Sequence, residues 1–547
     1  MPLDDRNSTG ATVQIRDLLT TQNPLGPSRH EAIIRLLGGI TPDALLYPTG
    51  AFDNIVGARR PIILGRKGAG KTAVAAAMVG LSGHGARPKK WSYSYTQSGA
   101  SDGSGDIYLF INSWRQLDEL VNKVGLDSLH SLGGIPDFES LMPETVAGHW
   151  MRRIWMAILE QIYRLSLDNS EVRTNLAYVV KYIQGKDIVP HHLELTDRVL
   201  NQKFEQAQQE VCNYLALRKR RCYVVIDALE RYPVTAPRFQ KVMAGFLKCV
   251  NDFSFDYPNI RITCLIPEEV ESHFVAGASN YLKDLSTAAS ASRLTWKPID
   301  LLRIVAERYR VFLGIHSHGD KEYIKLIDGL DFSKRGDLKL FYQSVTPEDL
   351  ENRLRKPESA IAYIIRHTQL LPREFLMIFD AAILNSHRKN GSWRALVPSA
   401  IVDAISTLES ELAHQILYPY DAVYPSLIAA AKKVLPRLSP ICTGRDLDKV
   451  NAELVNLTKH ETSNPWETLF EIGVMGYVDE RAKGIANDRY AYGRFRFNSD
   501  ALKPITFTSQ RHFCVHPVFS GTWGLKRTPE DTRSVYPAEV GEVPWED

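Results

Sequence analysis

The stretch Pro61-Ile-Ile-Leu-Gly-Arg-Lys-Gly-Ala-Gly-Lys-Thr-Ala-Val74 constrains this chain more than any other. Within it, Gly65-x-x-x-x-Gly70-Lys71-Thr72 matches G-x-x-x-x-G-K-[ST], the pattern of a loop that wraps a phosphate. Ile62, Ile63 and Leu64 form a short apolar run suited to a buried strand, and the alanine-rich run after Thr72 is a strong helix former. Strand, glycine loop and helix is the context the pattern needs. Gly65, Gly68 and Gly70 permit backbone angles that side chains block. The loop N–H groups and the positive end of the following helix then face an anion. The expected nucleotide-binding residues are Gly65, Gly68, Ala69, Gly70, Lys71, Thr72 and Ala73. Lys71 is placed to reach the β- and γ-phosphates, and Thr72 to hold Mg²⁺ through its hydroxyl.

A second constraint lies at Arg221-Cys-Tyr-Val-Val-Ile-Asp-Ala-Leu-Glu-Arg231. Read alone, this is an ordinary strand ended by an acidic turn. Downstream of the glycine loop it reads as a Walker B strand, with Asp227 at its carboxyl end holding the metal and Glu230 orienting or deprotonating a water. The expected catalytic residues are therefore Lys71, Asp227 and Glu230, and the expected metal ligands Thr72 and Asp227. Ile260–Ile266 is a further strand. Thr263 and Glu268 are its candidates for sensing a γ-phosphate, against a plain core strand and a solvated helix start. Strands alternating with helices predict a parallel sheet covered on both faces.

The rest of the chain divides by pattern. Residues 1–30 are polar and expected as a flexible arm, and 31–295 as an α/β core with helical insertions near 146–167 and 192–220. Residues 296–438 read as helical throughout, including a helix over 347–366. Pro372 suits a helix start. It places Arg373 where a lid could touch nucleotide phosphates; the alternatives are a surface charge or an ion pair with Glu374 or Asp380. Residues 439–523 combine helices with β segments near 477–480, 490–497 and 505–508, as in a winged helix, and 524–547 read as a flexible tail.

Charge narrows the partners. The 547-residue chain has a formal net charge of +3, too small by itself to imply nucleic acid or membrane. Residues 439–523 hold as many Lys and Arg as Asp and Glu, whereas tight binding to a phosphate backbone needs clustered cations. Arg489, Arg494 and Arg496 on the expected wing are the exception, and Arg218-Lys-Arg-Arg221 reads first as a helix end offsetting its dipole. A protein-facing role is thus preferred to DNA binding. Six cysteines without C-x-x-C spacing argue against a zinc site or disulfide framework and fit a reducing cytoplasm. No apolar run is long enough to cross a membrane, and the N-terminal residues do not resemble a signal peptide.

The loop wording, Ile226-Asp-Ala-Leu-Glu-Arg231, Leu371-Pro-Arg-Glu374 and Val515-His-Pro-Val-Phe519 together resemble bacterial STAND/KAP-like P-loop ATPases. The resemblance spans roughly residues 45–523. It implies an α/β fold: a P-loop NTPase core with a parallel sheet, followed by an all-helical lid and a winged-helix-like C-terminal domain. It also implies ATP and Mg²⁺ as ligands, ATP hydrolysis, and an oligomerising switch acting on itself or on a separately encoded protein effector, in some members in antiviral defence. A DNA-handling, loader-like ATPase is the alternative. The resemblance offers His516 as a contact to nucleotide phosphates; a packed histidine before proline is the preferred reading of that residue. Related switches often place an Arg at the end of the strand after Walker B, where this chain has Leu265-Ile266-Pro267. Arg261, Arg293 and Arg373 are the candidates for that duty.

Overall fold

A computed structural model of the chain describes residues 17–28, 60–75, 107–111, 143–165, 176–180, 198–227, 237–270, 291–317, 321–421, 423–479, 490–498, 511–526 and 533–537. It is a mixed α/β molecule with a parallel sheet and many helices. Two compact units emerge, one of Gly50–Arg66 with Lys71–Leu294, the other of Met1–Thr49, Lys67–Gly70 and Thr295–Asp547.

The first unit is built on strands β1 (Ile62–Gly65), β2 (Ile107–Ile111), β3 (Cys222–Ile226), β4 (Ile260–Pro267) and β5 (Ala291–Arg293), in the order β2-β3-β4-β1-β5. All four pairings are parallel. Every residue of β1 and β3 is buried, as expected of strands covered on both faces, which read as continuous apolar runs. The helical insertions are α1 (Pro143–Leu165) and α2 (Arg198–Leu217), and α3 (Pro237–Asp256) follows β3. α1 and α3 approach closely because position 245 is glycine: a Cβ there would lie 2.5 Å from the Val146 side chain. Trp150 against Phe246 and Trp155 against Phe253 fill the same seam.

The second unit carries helices α4 (Pro298–His316), α5 (Lys321–Asp328) and α6 (Arg335–Val345), then strands β6 (Asp349–Glu351) and β7 (Pro357–Ser359). The helix expected over 347–366 is therefore an antiparallel hairpin followed by a short helix, α7 (Ala360–Arg366). Asn352 explains the difference. Its side-chain oxygen accepts from the amides of Leu354 (2.8 Å) and Lys356 (3.2 Å), offering the backbone a turn in place of a helix. Arg355 completes that turn at φ +57°.

Helices α8 (Pro372–Asn390), α9 (Pro398–Asp421) and α10 (Pro425–Val434) precede a mixed region. There, β8 (Ile441–Thr443), β9 (Met475–Val478), β10 (Tyr490–Arg494), β11 (His512–Val515) and β12 (Ser534–Pro537) form a sheet in the order β12-β10-β9-β11-β8. It is accompanied by α11 (Gly444–Thr458), α12 (Pro465–Ile472) and α13 (Pro517–Thr522). The β segment expected at 505–508 lies outside the described residues. The expected boundary at 438/439 does not divide the packing: Leu427, Leu435, Cys442, Leu447 and Val450 share one apolar cluster, which runs from Leu18 to Leu525.

Both expected floppy ends contain ordered structure. In the tail, β12 pairs in parallel with β10, and Tyr536 is buried. In the arm, Leu18, Leu19 and Leu25 are buried in the main cluster. Arg308 on α4 donates to the carbonyls of Leu25 (3.0 Å) and Pro27 (3.3 Å), and the Leu25 amide donates to Asp380 on α8 (2.8 Å). Three apolar anchors in an otherwise polar stretch carry no periodicity, which is why the pattern missed them.

Burial pushes the Asp380 carboxyl up to about 7, against the Leu25 amide and Arg308, which favour its charge. A carboxyl raised in the native state binds its proton more tightly folded than unfolded. Its contribution to stability is fully present only below about pH 4 and is lost progressively as the pH rises from there to about 7. Asp380→Asn keeps an acceptor for Leu25 and cannot titrate. Melting curves from pH 4 to 8 should show wild type losing stability relative to this variant as pH rises; parallel curves would show that Asp380 does not titrate in this range.

Among the described residues, no helix is long and apolar enough to cross a membrane.

Candidate functional site

β1 delivers Gly65 to the carboxyl edge of the parallel sheet, the edge where open α/β sheets collect their ligand-binding loops. The chain then turns through Arg66–Gly70 and is helical from Lys71 to Ala75. Gly68 and Gly70 adopt φ of +92° and +90°, which explains glycine at both. Left-handed residues alternating with ordinary ones turn successive N–H groups toward a common concavity. The Lys71 ammonium folds back inside the turn, donating to the carbonyls of Gly65 (2.9 Å) and Arg66 (3.2 Å), and the residue is only 3% exposed. Thr72 and Ala73 are half-buried behind it.

The tip of the loop belongs with the second unit. The Trp296 indole N–H donates to the Ala69 carbonyl at 2.7 Å. The Lys67 ammonium sits 4.0 Å above the Tyr418 ring centroid. Gly68 packs against Leu371 and Arg373: a Cβ at Gly68 would lie 3.4 Å from the Arg373 Cβ. Arg373, second residue of α8, thus stands beside the loop tip. Close by, the Glu374 carboxylate accepts from the Gln369 amide (2.5 Å) and Asp380 from the Leu25 amide (2.8 Å).

Asp227 follows β3 directly and is 9% exposed. Ile226 pairs with Cys264, and Cys264 with Ile62. Asp227 therefore stands at the carboxyl end of β3, level with Ile63 and two strands from β1, about 10 Å at normal strand spacing. Glu230 lies outside the described residues.

Two sensing candidates are displaced by the register. Thr263 stands four residues before Pro267, the partner of Gly65, so about 13 Å short of the loop's level. Its hydroxyl donates instead to the Arg60 carbonyl at the other end of β1 (3.3 Å). Arg261, second residue of β4, lies further toward that same amino edge. Glu268 and Arg293 are on the correct edge. They form an ion pair with each other from the two strands that flank β1, so the pair bridges across the strand that feeds the loop.

His516 is fully buried. Its Nε2 faces the Thr368 carbonyl (3.1 Å) and its Nδ1 accepts from the Val518 amide (3.4 Å), capping α13. A carbonyl on one nitrogen and an amide N–H on the other specify the neutral, Nε2-protonated ring. Phe495, Phe497 and Phe519 surround it. This is a structural histidine, and its place as a phosphate contact is taken by core packing. The run it holds, Thr368–Leu370, leads into Leu371 and Arg373, and Leu370 takes the left-handed φ of +56°.

On the expected wing, Arg494 pairs with Asp479 and Arg496 with Glu471 (2.9 Å), while Arg489 lies outside the described residues. In the Arg218–Arg221 cluster at the end of α2, Arg220 donates to the Tyr214 hydroxyl (3.1 Å).

The sequence reading missed Trp296 and Tyr418, whose partners lie far away along the chain. One cue was present: an aromatic residue three positions after a strand that pairs with β1 is carried alongside the loop that β1 feeds.

No family model matches the chain, and no curated protein matches it. Among solved structures, the ORC2 protein of Aeropyrum pernix, determined as ADPNP–ADP complexes, is similar at 12% identity over 97% of this chain and 93% of that one, with a TM-score of 0.33.

Proposed function

We propose that the chain is an ATP-binding, Mg²⁺-dependent P-loop ATPase that works as a conformational switch, its nucleotide state governing assembly with copies of itself or control of a separately encoded effector. The observation that carries this reading is the loop itself: Gly68 and Gly70 in left-handed conformation around a buried Lys71, with Asp227 at the carboxyl end of β3. Loop N–H groups and Lys71 would hold the phosphates. Hard oxygen donors from Thr72 and Asp227 suit Mg²⁺, which supplies neutralisation of phosphate charge when bound. Glu230 would orient the attacking water. Arg373, beside the loop tip, would sense the outermost phosphate.

The preference for ATP, the STAND/KAP-like placement and a role in bacterial antiviral defence in the cytoplasm are supported by the motif wording. The even charge of residues 439–523, with Arg494 and Arg496 committed to carboxylates, supports a protein-facing switch over DNA handling.

The test is native mass measurement of purified protein with no nucleotide, with ADP and with a non-hydrolysable ATP analogue, alongside Mg²⁺-dependent phosphate release. A mass that changes with nucleotide supports the switch. Protein that binds no ATP in the presence of Mg²⁺ overturns it. Salt-sensitive binding to plain duplex DNA would favour the loader-like alternative. Glu230→Gln should bind ATP as wild type does while turnover falls by at least about a hundredfold; equal hydrolysis would remove Glu230 from the mechanism.

A further inference from the structure

We propose that Trp296 is a positioning residue for the phosphate-binding loop, its indole N–H fixing the Ala69–Gly70 peptide so that the Gly70 N–H is presented to phosphate. The inference rests on the nucleotide reading above and adds a residue that the loop motif does not contain.

Three observations carry it. The indole nitrogen is 2.7 Å from the Ala69 carbonyl, and indole is a donor only, so the bond has one sense. A trans peptide is rigid and its C=O and N–H point in opposite directions. Anchoring the Ala69 oxygen on Trp296 therefore aims the Gly70 N–H the other way, away from the indole. The peptide also needs an anchor. Gly68 and Gly70 flank Ala69 with φ of +92° and +90°, and glycine visits either sign of φ readily. Such a peptide plane can rotate at little cost unless one end is held. Ala69 has no exposed surface with the indole in place.

Trp296 is itself well placed to serve as an anchor. Two residues before it, the Leu294 amide donates to the Leu64 carbonyl at 2.8 Å. Two residues after it, Pro298 begins α4. The tryptophan thus sits on a short segment tied at both ends, and its ring packs against the large apolar cluster. An anchor of this kind acts on whatever phosphate the loop takes, independently of the base. It stabilises ground state and transition state alike, which alters KM more than kcat.

Trp296→Phe keeps an aromatic ring, smaller than indole, and removes the donor. Losing one hydrogen bond to a buried carbonyl corresponds to about a tenfold weaker affinity. The experiment measures binding of ATP, ADP and inorganic tripolyphosphate to wild type and variant, steady-state ATP hydrolysis, and amide hydrogen exchange of the peptide spanning residues 65–72. The expected result is a similar loss of about tenfold for all three ligands, KM raised with kcat within about twofold, and faster exchange confined to that peptide. Unfolding would instead lower kcat through a smaller active fraction and speed exchange in β3 and β4 as well. Unchanged affinity for all three ligands overturns the proposal. So does a loss for ATP and ADP without one for tripolyphosphate, which would put the ring on the base. Wild type that binds none of the three overturns the nucleotide reading itself, and this proposal with it.

Discussion

Lys71→Ala should abolish ATP binding at any practical concentration, weakening it by at least about a hundredfold. Lys71 is 3% exposed, and its ammonium is already held within the turn by the Gly65 and Arg66 carbonyls. Charge-assisted hydrogen bonds contribute about 1.5–3 kcal/mol each, and the alanine variant loses all that the ammonium makes to phosphate. Two such bonds account for a factor of a hundred or more. Isothermal calorimetry with ATP and Mg²⁺ measures this directly. The variant also loses the bonds to Gly65 and Arg66, so its melting temperature is needed as a control. A folded Lys71→Ala protein that binds ATP within threefold of wild type would remove the loop from the function. Lys71→Arg separates charge from shape: the planar guanidinium is larger than an ammonium and spreads its charge over a fork, so the arginine variant should recover little.

The loop was legible in the sequence because its requirements are local. Glycines at 68 and 70, the lysine and the preceding apolar strand act over a few residues, and each leaves a mark in residue type. The sheet was legible for a similar reason. Strands buried on both faces must be apolar throughout, so Ile62–Leu64, Cys222–Ile226 and Ile260–Ile266 announce themselves. What surrounds the loop was not legible. Trp296 and Tyr418 come from segments that fold back from far along the chain, and no spacing rule links them to residue 69; Arg373 was marked only by the proline that starts its helix. Register was hidden too. Thr263 looked as good as any polar residue on β4 until its pairing put it level with the start of β1 rather than the end.

Errors of element type had local causes that periodicity does not see. Asn352 diverts residues 349–359 from helix to hairpin through its own side-chain oxygen. The two ends of the chain were read as floppy because they are polar on average. Each is held by a few residues: Leu18, Leu19 and Leu25 at one end, Tyr536 at the other.

That last contact leads to the largest expected effect on stability. Glu358, on the hairpin strand β7, has no exposed side-chain surface, and Arg366 on α7 binds it with two nitrogens, at 2.6 and 3.3 Å. Asn352 donates to the same carboxylate at 2.7 Å, and the Tyr536 hydroxyl of β12 donates to it as well. Three side chains, from the hairpin, α7 and the C-terminal strand, thus converge on one carboxylate. Glu358→Ala leaves the buried Arg366 without its counter-charge and strands the Asn352 and Tyr536 donors. Breaking a buried ion pair from one side costs about 3–5 kcal/mol. Thermal unfolding should fall by several degrees, and proteolysis or hydrogen exchange should show residues 533–537 released first, because Tyr536 loses its acceptor. Glu358→Gln, which keeps an acceptor and the shape, should fall between the two. Tyr536→Phe removes only one donor and should cost about 1 kcal/mol. Melting curves for the three variants decide the matter: if Glu358→Ala costs no more than Tyr536→Phe, the carboxylate is not what ties the C-terminal strand to the hairpin.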